Sequence, residues 1–256
     1  TTNFAVDGQF SERHFAYHRE RAAGGVGLII TEGMRVHPTS LARTNTVSAF
    51  DDRIVPSLNR LTELVHAAGA KIAAQLLHVG RQAGRHNALT PAWGASGIPW
   101  SATAPVPHVM TTREIEEVVR GFADAARRVE RAGVDAVEVH LGHGHLLQQF
   151  LSPVSNRRQD AYGGDPARRL RFAREVLAAV TGAVSSRMPL MLRISADEFT
   201  SGGMGVTEMI ETMSELLREF RVDVLNVSHS AYLASGSVAT QMADMSFEPR
   251  PFRALP

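Results

Sequence analysis

The chain has 256 residues, an apolar fraction of 44%, a charged fraction of 21% and a formal net charge of +1. This is the composition of an ordinary globular domain with a sizeable core, and the charge balance gives no reason to expect nucleic acid or an anionic membrane as partner. The absence of cysteine excludes disulfides, thiolate metal sites, cysteine nucleophiles and a cysteine-ligated iron–sulfur cluster within these residues, and fits a cytoplasmic protein.

No uncharged apolar run approaches the ~20 residues of a membrane span, and no basic-then-apolar leader opens the chain. Thr1 falls in what reads as the middle of a loop. Ser11–Ala23 then predicts an amphipathic helix, and Val26–Thr31 a short, nearly continuous apolar strand. A loop over Glu32–Asp51 leads to a helix at Asp52–Ala68 and a strand at Lys71–His78. The loop Val79–Thr111 leads to the clearest helix, Thr112–Ala132. There Ile115, Val118, Val119, Phe122, Ala126 and Val129 recur at helical spacing, and Thr111 with Glu114 forms a capping box. Strand Val134–His140, loop Leu141–Asp165 and helix Pro166–Val184 follow. Strand Pro189–Ser195, loop Ala196–Val206, helix Thr207–Phe220 and strand Val222–Ser228 come next, and His229–Arg250 reads as a last loop. Glu248–Phe252 has the chemistry of a helix start.

Glycines at Gly24-Gly25, Gly69 and Gly133 stand where left-handed helix caps are wanted; Phe220-Arg221-Val222-Asp223 occupies the same place without glycine. Helix-to-strand loops are short and strand-to-helix loops long. That asymmetry is expected of a (β/α) barrel that works at the C-terminal ends of its strands. An open doubly wound sheet is the alternative, but no GxGxxG follows the first strand. Five strands are readable where a barrel has eight. The expectation is therefore one barrel domain over residues 1–256, incomplete at both ends, with the first strand and the last two missing.

The densest chemistry lies at 138–164. His140, His143 and His145 stand just past an apolar run, before a polar loop marked by Pro153, Gly163 and Gly164. At the C-terminal end of a parallel strand such a cluster is placed for catalysis, for metal binding, or for nothing beyond local hydrogen bonds.

Ordered motifs narrow this. Gly24-Gly25-Val26-Gly27-Leu28-Ile29-Ile30-Thr31-Glu32 is followed by Gln75-Leu76-Leu77-His78-Val79-Gly80-Arg81 and by Val137-Glu138-Val139-His140 with His143. Gln149-Phe150-Leu151-Ser152-Pro153, Asn156-Arg157-Arg158 and Asp160-Ala161-Tyr162-Gly163-Gly164 complete the set. The chain resembles the Old Yellow Enzyme family of NADH:flavin oxidoreductases. Each motif alone is weak, whereas the ordered set is specific and runs across nearly the whole chain.

The resemblance implies a (β/α)8 barrel holding FMN, with hydride passing from NAD(P)H through the flavin to the C=C bond of an α,β-unsaturated carbonyl substrate. Gly33 matches a backbone position lying against the flavin, where glycine permits close approach. Gln75 matches the amide that meets the pyrimidine edge. Arg193, in Leu192-Arg193-Ile194-Ser195, matches the cation that stabilises reduced flavin. His140 and His143 match the pair that binds the substrate oxygen and would stabilise a developing enolate.

His145 departs from the pattern, standing where the family usually has a tyrosine proton donor. An imidazolium, with a reference pKa of about 6.5, is a stronger acid than a phenol at about 10, so it would serve with different reach. Leu141 and Gly142 also reverse the usual order of small residues. The resemblance places the FMN phosphate site after strands that this sequence lacks, and some longer relatives carry an iron–sulfur or nucleotide domain after the barrel.

Blander readings stand beside these. His78, His86, His108 and His229 read as ordinary polar histidines. Asp197 and Glu198 read as solvating their loop. Asn156, Arg157, Arg158, Asp160 and Tyr162 read as pins for the loop after His145, and Met209 and Met213 as helix core. No metal ligand is assigned, although a His-x-x-His-x-His cluster with Glu138 keeps a metal-dependent hydrolase as an alternative. Oxidation or demethylation of an N-methylated amine is another, with Ser228-His229-Ser230-Ala231-Tyr232 supplying an aromatic wall. A catalytically dead fragment is the non-enzyme alternative. The sequence is compatible with a homo-oligomer and specifies none.

Overall fold

The structure, a computed structural model, describes residues 1–41, 43–83 and 91–229. Its main sheet contains β1 (Leu28–Ile30), β3 (Lys71–Leu77), β6 (Ala136–His140), β7 (Leu190–Ser195) and β8 (Val224–Ser228), parallel and in that order, with β2 (Met34–Arg35) extending the β1 side of β3. The order follows the chain without a reversal, which a doubly wound sheet would need. The helices are α1 (Glu12–Ala23), α2 (Ile54–Ala67), α3 (Thr112–Arg131), α5 (Pro166–Ala183) and α6 (Val206–Glu219), with a short α4 (Leu146–Leu151) between α3 and α5. The five longer helices neighbour one another in chain order, α1 on α2, α2 on α3, α3 on α5 and α5 on α6. They therefore share one face of the sheet, as in the arc of a barrel.

All five expected strands and five long helices are present, with ends moved by one or two residues. The three helix-ending glycines do the expected work, with Gly25, Gly69 and Gly133 at φ +89°, +82° and +81°. At the end of α6, Phe220 is instead extended, at φ −124°. Thr111 and Glu114 form the expected capping box on α3. Some short elements were not legible: β2 inside the loop Glu32–Asp51, a 3-10 turn at Gly80–Gln82 and a two-stranded parallel ribbon of β4 (Trp93–Gly94) and β5 (His108–Val109) inside Val79–Thr111, and α4 inside Leu141–Asp165.

Aspartates just ahead of two strands fix register. Asp135 accepts from the Ile72 N–H at 2.9 Å, and Asp223 from the Leu190 N–H at 3.0 Å, each tying a strand to its predecessor. A side chain at this spot removes a one-residue slip that would turn every inward residue outward.

Alternation then sorts the side chains. Ile72, Ala74, Leu76, Val137, Val139, Leu192 and Ile194 join the core beneath the helices. On the opposite, inner face, Ile30, Ala73, Ala136 and Met191 form a small apolar layer. Above it lie Gln75, Glu138, Arg193 and Asn226, and at the strand ends His140, Ser195 and Ser228. The inner face thus turns from apolar to polar toward the C-terminal ends of the strands.

Candidate active site

His140 is the last residue of β6 and is buried. Beyond it the chain turns sharply back on itself. Leu141 drops into the core, and its N–H donates to the Arg193 carbonyl at 2.7 Å. Gly142 passes so close to β7 that a Cβ would stand 2.9 Å from both the backbone N and the Oγ of Ser195. The Leu-Gly order therefore has a packing reason: the large side chain goes outward and the glycine crosses the strand end.

His143 takes the left-handed conformation at φ +57°, and Gly144 follows at φ +67°. A non-glycine residue there needs external support. The His143 N–H donates to Ser195 Oγ at 2.9 Å. The Gly144 peptide is gripped on both sides: its N–H donates to Gln148 Oε1 and its carbonyl accepts from Gln149 Nε2, both at 2.6 Å. His145 stands at the N-cap of α4, and the Leu146 N–H donates to the His78 carbonyl at 2.8 Å, tying α4 to the end of β3.

The structure brings the three predicted histidines together. Ring centroids lie 4.9 Å apart for His140 and His143, 4.8 Å for His140 and His145, and 6.3 Å for His143 and His145. The Gly142 N–H donates to His140 Nδ1 at 3.0 Å. His140 Nε2 faces His143 Nδ1 at 2.9 Å, and His143 Nε2 faces Ser228 Oγ at 2.7 Å. The Nδ1 of His145 is buried with no hydrogen-bond partner.

All three rings are held neutral at ordinary pH. Burial is the main cause in each case. It acts with His145, His143 and Arg193 to push His140 well below the usual imidazole value. With Arg193 and His229 it brings His143 down to about 4, and with His143 and Arg193 it brings His145 down to about 3. The expected imidazolium at position 145 is therefore not the resident form: the pocket is too dry and already carries a fixed cation. Among the described residues, no carboxylate is a leading cause of these shifts.

The residues matched to flavin binding lie on the same inner face. Gln75 on β3 donates from Nε2 to Glu138 Oε2 at 2.5 Å, and Asn226 on β8 donates to Glu138 Oε1 at 2.8 Å. Glu138 is fully buried on the same face as His140, so a carboxylate on β6 is bracketed by the amides of Gln75 on β3 and Asn226 on β8. Arg193 stands opposite both His140 and Asn226 in register, half-buried, its side chain making no hydrogen bond or ion pair among the described residues. An inward cation with no ion pair among the described residues, near the Gln75 and Asn226 amides, suits an anionic, hydrogen-bonding ring such as FMN. Gly33 abuts Leu77 and the Gln75 amide, where a Cβ would collide with the leucine; the close approach seen there is to protein.

Several bland readings change. His78 is buried, its Nε2 2.9 Å from Thr39 Oγ1 and its Nδ1 accepting from the Gly80 N–H at 3.0 Å. Glu198 does not solvate its loop. It is 3% exposed and accepts from Ser152 Oγ, Gln148 Nε2 and the Met204 N–H at 2.7, 2.9 and 2.8 Å. Burial, only partly offset by these donors, holds its pKa above the usual carboxylate range. His108 pairs with Glu114 at the start of α3, as a surface histidine does.

Asn156 and Arg158 pin the loop as expected: Asn156 donates to the carbonyls of Phe150 and Tyr162, Arg158 to those of Ala95 and Met110. Met209 and Met213 are core. His86, the Tyr232 wall and the helix start at 248–252 lie outside the described residues.

Ser195, Asn226 and Ser228 escaped the sequence reading. Their signal was a polar residue at alternate positions of two apolar strands, in phase with Arg193 on β7. A metal centre finds no support in the geometry, since among the described residues no group of three or more His, Cys, Asp or Glu is placed to hold an ion. No helix among them is long and apolar enough to cross a membrane.

Comparison with known proteins agrees with this arrangement. A family model described as NADH:flavin oxidoreductase / NADH oxidase matches residues 3–250. An NADH oxidase of Thermoanaerobacter brockii is 40% identical over 235 residues, which is 90% of this chain and 36% of that protein. A 2-naphthoyl-CoA reductase, solved with 2-naphthoyl-CoA, superposes with a TM-score of 0.85 at 27% identity over 93% of this chain and 38% of that one. An Old Yellow Enzyme from a Pichia species superposes with a TM-score of 0.80 at 28% identity over 88% of this chain and 64% of that one. The sheet is thus part of a (β/α)8 barrel, and the chain spans about a third of the length of the curated relative it matches. The chain belongs to the NADH:flavin oxidoreductase / NADH oxidase family.

Proposed function

We propose that this chain forms the flavin and substrate face of an FMN-dependent oxidoreductase that reduces the C=C bond of an α,β-unsaturated carbonyl compound with NAD(P)H. Residues 1–256 act in it as one barrel domain. FMN, when bound, takes hydride from the nicotinamide and releases it to the alkene. Gln75 and Arg193 would hold its ring, the arginine opposing negative charge and the amide meeting polar edge atoms, while Gly33 leaves room for Leu77 and the Gln75 amide beside it. His140 and His143 bind the carbonyl oxygen, and His145 closes the pocket as a neutral imidazole whose buried Nδ1 has no hydrogen-bond partner.

One observation carries this reading. The leading influences on the histidine cluster among the described residues are burial, neighbouring imidazoles and the Arg193 cation. Such a site favours an oxygen that gains negative charge, as a carbonyl does when its β-carbon accepts hydride. A methylammonium substrate would need the opposite field, which disfavours the amine reading. The similarity to a structure solved with 2-naphthoyl-CoA, a conjugated aromatic acyl thioester, supports a conjugated carbonyl acceptor, while a histamine dehydrogenase of like similarity makes the amine reading the one to test against.

The test uses the flavin-loaded full-length protein under anaerobic conditions. Reduced enzyme should be reoxidised by cyclohexenone, with absorbance returning in the flavin bands. Reduction of oxidised enzyme by trimethylamine, with no response to cyclohexenone, would replace this reading by the amine one.

A further inference from the structure

We infer that Ser228 is a positioning residue that sets, and allows exchange of, the tautomer of His143. The inference rests on the reading of His140 and His143 as an oxygen-binding pair, and specifies how one ring can serve two states.

The hydrogen bonds fix the protons of the ligand-free protein one after another. The Gly142 N–H donates to His140 Nδ1 at 3.0 Å, so that nitrogen holds a lone pair and the His140 proton sits on Nε2. Nε2 is 2.9 Å from His143 Nδ1, which must therefore accept. His143 is neutral, its pKa lowered to about 4 by burial, Arg193 and His229. Its one proton is then on Nε2, and it donates to Ser228 Oγ at 2.7 Å. In this state the two rings satisfy each other and Ser228 accepts.

Substrate oxygen changes the requirement. To accept from both rings it must find a proton on His140 Nε2 and another on His143 Nδ1. His140 already has the right form. His143 must exchange tautomers: one proton leaves Nε2 for solvent and one arrives at Nδ1, with no net change. Nε2 then presents a lone pair and needs a donor. A serine hydroxyl serves, because it turns from acceptor to donor by rotating one bond. A carboxylate at 228 would accept only and lock the first tautomer, and an ammonium would donate only and lock the second.

The placement of Ser228 supports this role. It pairs with Ser195 in register at the ends of β8 and β7. Ser195 holds the His143 backbone through its N–H at 2.9 Å, while Ser228 meets the ring. The two serines together fix both the position and the proton of a residue whose φ of +57° would not hold it there unaided. Ser228 is half-buried and out of line with the His140–His143 gap, so it acts through His143.

The experiment is long-range ¹H–¹⁵N correlation of histidine-labelled, FMN-loaded protein, with and without 4-nitrophenol as the oxygen ligand, alongside the same ligand's affinity in Ser228→Ala and Ser228→Thr. The wild type should show His143 protonated at Nε2 when free and at Nδ1 when bound. Ser228→Ala should keep its FMN and bind 4-nitrophenol about tenfold more weakly, the loss expected of one unmet hydrogen bond in a partly buried site. Ser228→Thr should restore the affinity. Binding with His143 still protonated at Nε2, or equal affinity in wild type and Ser228→Ala, overturns the inference while leaving the oxygen pair intact. A wild type that does not bind 4-nitrophenol at all, or binds it without perturbing His140 or His143, overturns the oxygen-pair reading and this inference with it.

Discussion

Arg193 sits opposite His140 in the β6–β7 register and, after burial itself, its charge is a shared reason that His140, His143 and His145 are held below the ordinary imidazole range. One side chain thus does two things. It adds to burial in keeping the histidine rings neutral, and it presents to the inner face of the barrel a positive charge with no ion pair among the described residues.

Replacing Arg193 separates these effects from the fold. Arg193→Met removes no hydrogen bond or ion pair among the described residues, so stability should change by no more than about 1 kcal/mol. FMN affinity should fall at least tenfold, the scale of one lost charge-assisted hydrogen bond of about 1.5–3 kcal/mol. The pKa of His143, followed by NMR without flavin, should rise. Undiminished FMN affinity in Arg193→Met would remove the arginine from the flavin site.

The neutral histidines make stability depend on pH. His143 and His145 are lowered to about 4 and about 3, and His140 and His78 also lie well below the ordinary value near 6.5. Between these folded values and 6.5 the unfolded chain binds protons that the folded chain refuses. Stability is therefore complete above about pH 6.5 and falls as pH drops toward 4, by about 1.4 kcal/mol per pH unit for each such imidazole. Thermal unfolding scanned from pH 8 to 4.5 should show this decline. His145→Gln should flatten it by roughly one proton, and an unaltered slope would mean that His145 titrates normally in the fold.

Glu198 supports the histidine loop from behind. It holds Gln148, and Gln148 accepts from the Gly144 N–H at 2.6 Å. Glu198→Ala strands the buried donors of Ser152, Gln148 and Met204. It should destabilise the protein by about 2–4 kcal/mol in urea unfolding and weaken a phenolic ligand by loosening the turn that carries His143. Wild-type ligand affinity in a folded Glu198→Ala protein would show that the turn is held without Glu198.

The barrel arc was legible because its signals are local. Five parallel strands read as short apolar runs, with β3, β6 and β7 largely buried and the edge strands β1 and β8 partly exposed, and the glycines before Val26, Ala70 and Val134 marked where helices stop. What escaped depended on partners far away in the chain. Glu198 looked like a loop carboxylate because nothing near it in sequence announces Ser152 and Gln148, about fifty residues earlier. α4 was hidden in a loop because its six residues, all buried, show no amphipathic period. Ser228 and Asn226 were too ordinary to stand out until the register with β7 placed them beside His143 and Glu138. His145 was visible as a departure from its relatives, but its charge state was not, since that depends on burial and on Arg193 across the strand.

The central claim is that His140 and His143 take the acceptor oxygen. The most direct measurement is the affinity of flavin-loaded His140→Ala for 4-nitrophenol, followed by the absorbance change on titration, together with its affinity for FMN. Loss of a hydrogen bond to a charged oxygen predicts binding weakened by about ten- to a hundredfold, with FMN held as in the wild type. Unchanged affinity for 4-nitrophenol in His140→Ala would contradict the claim.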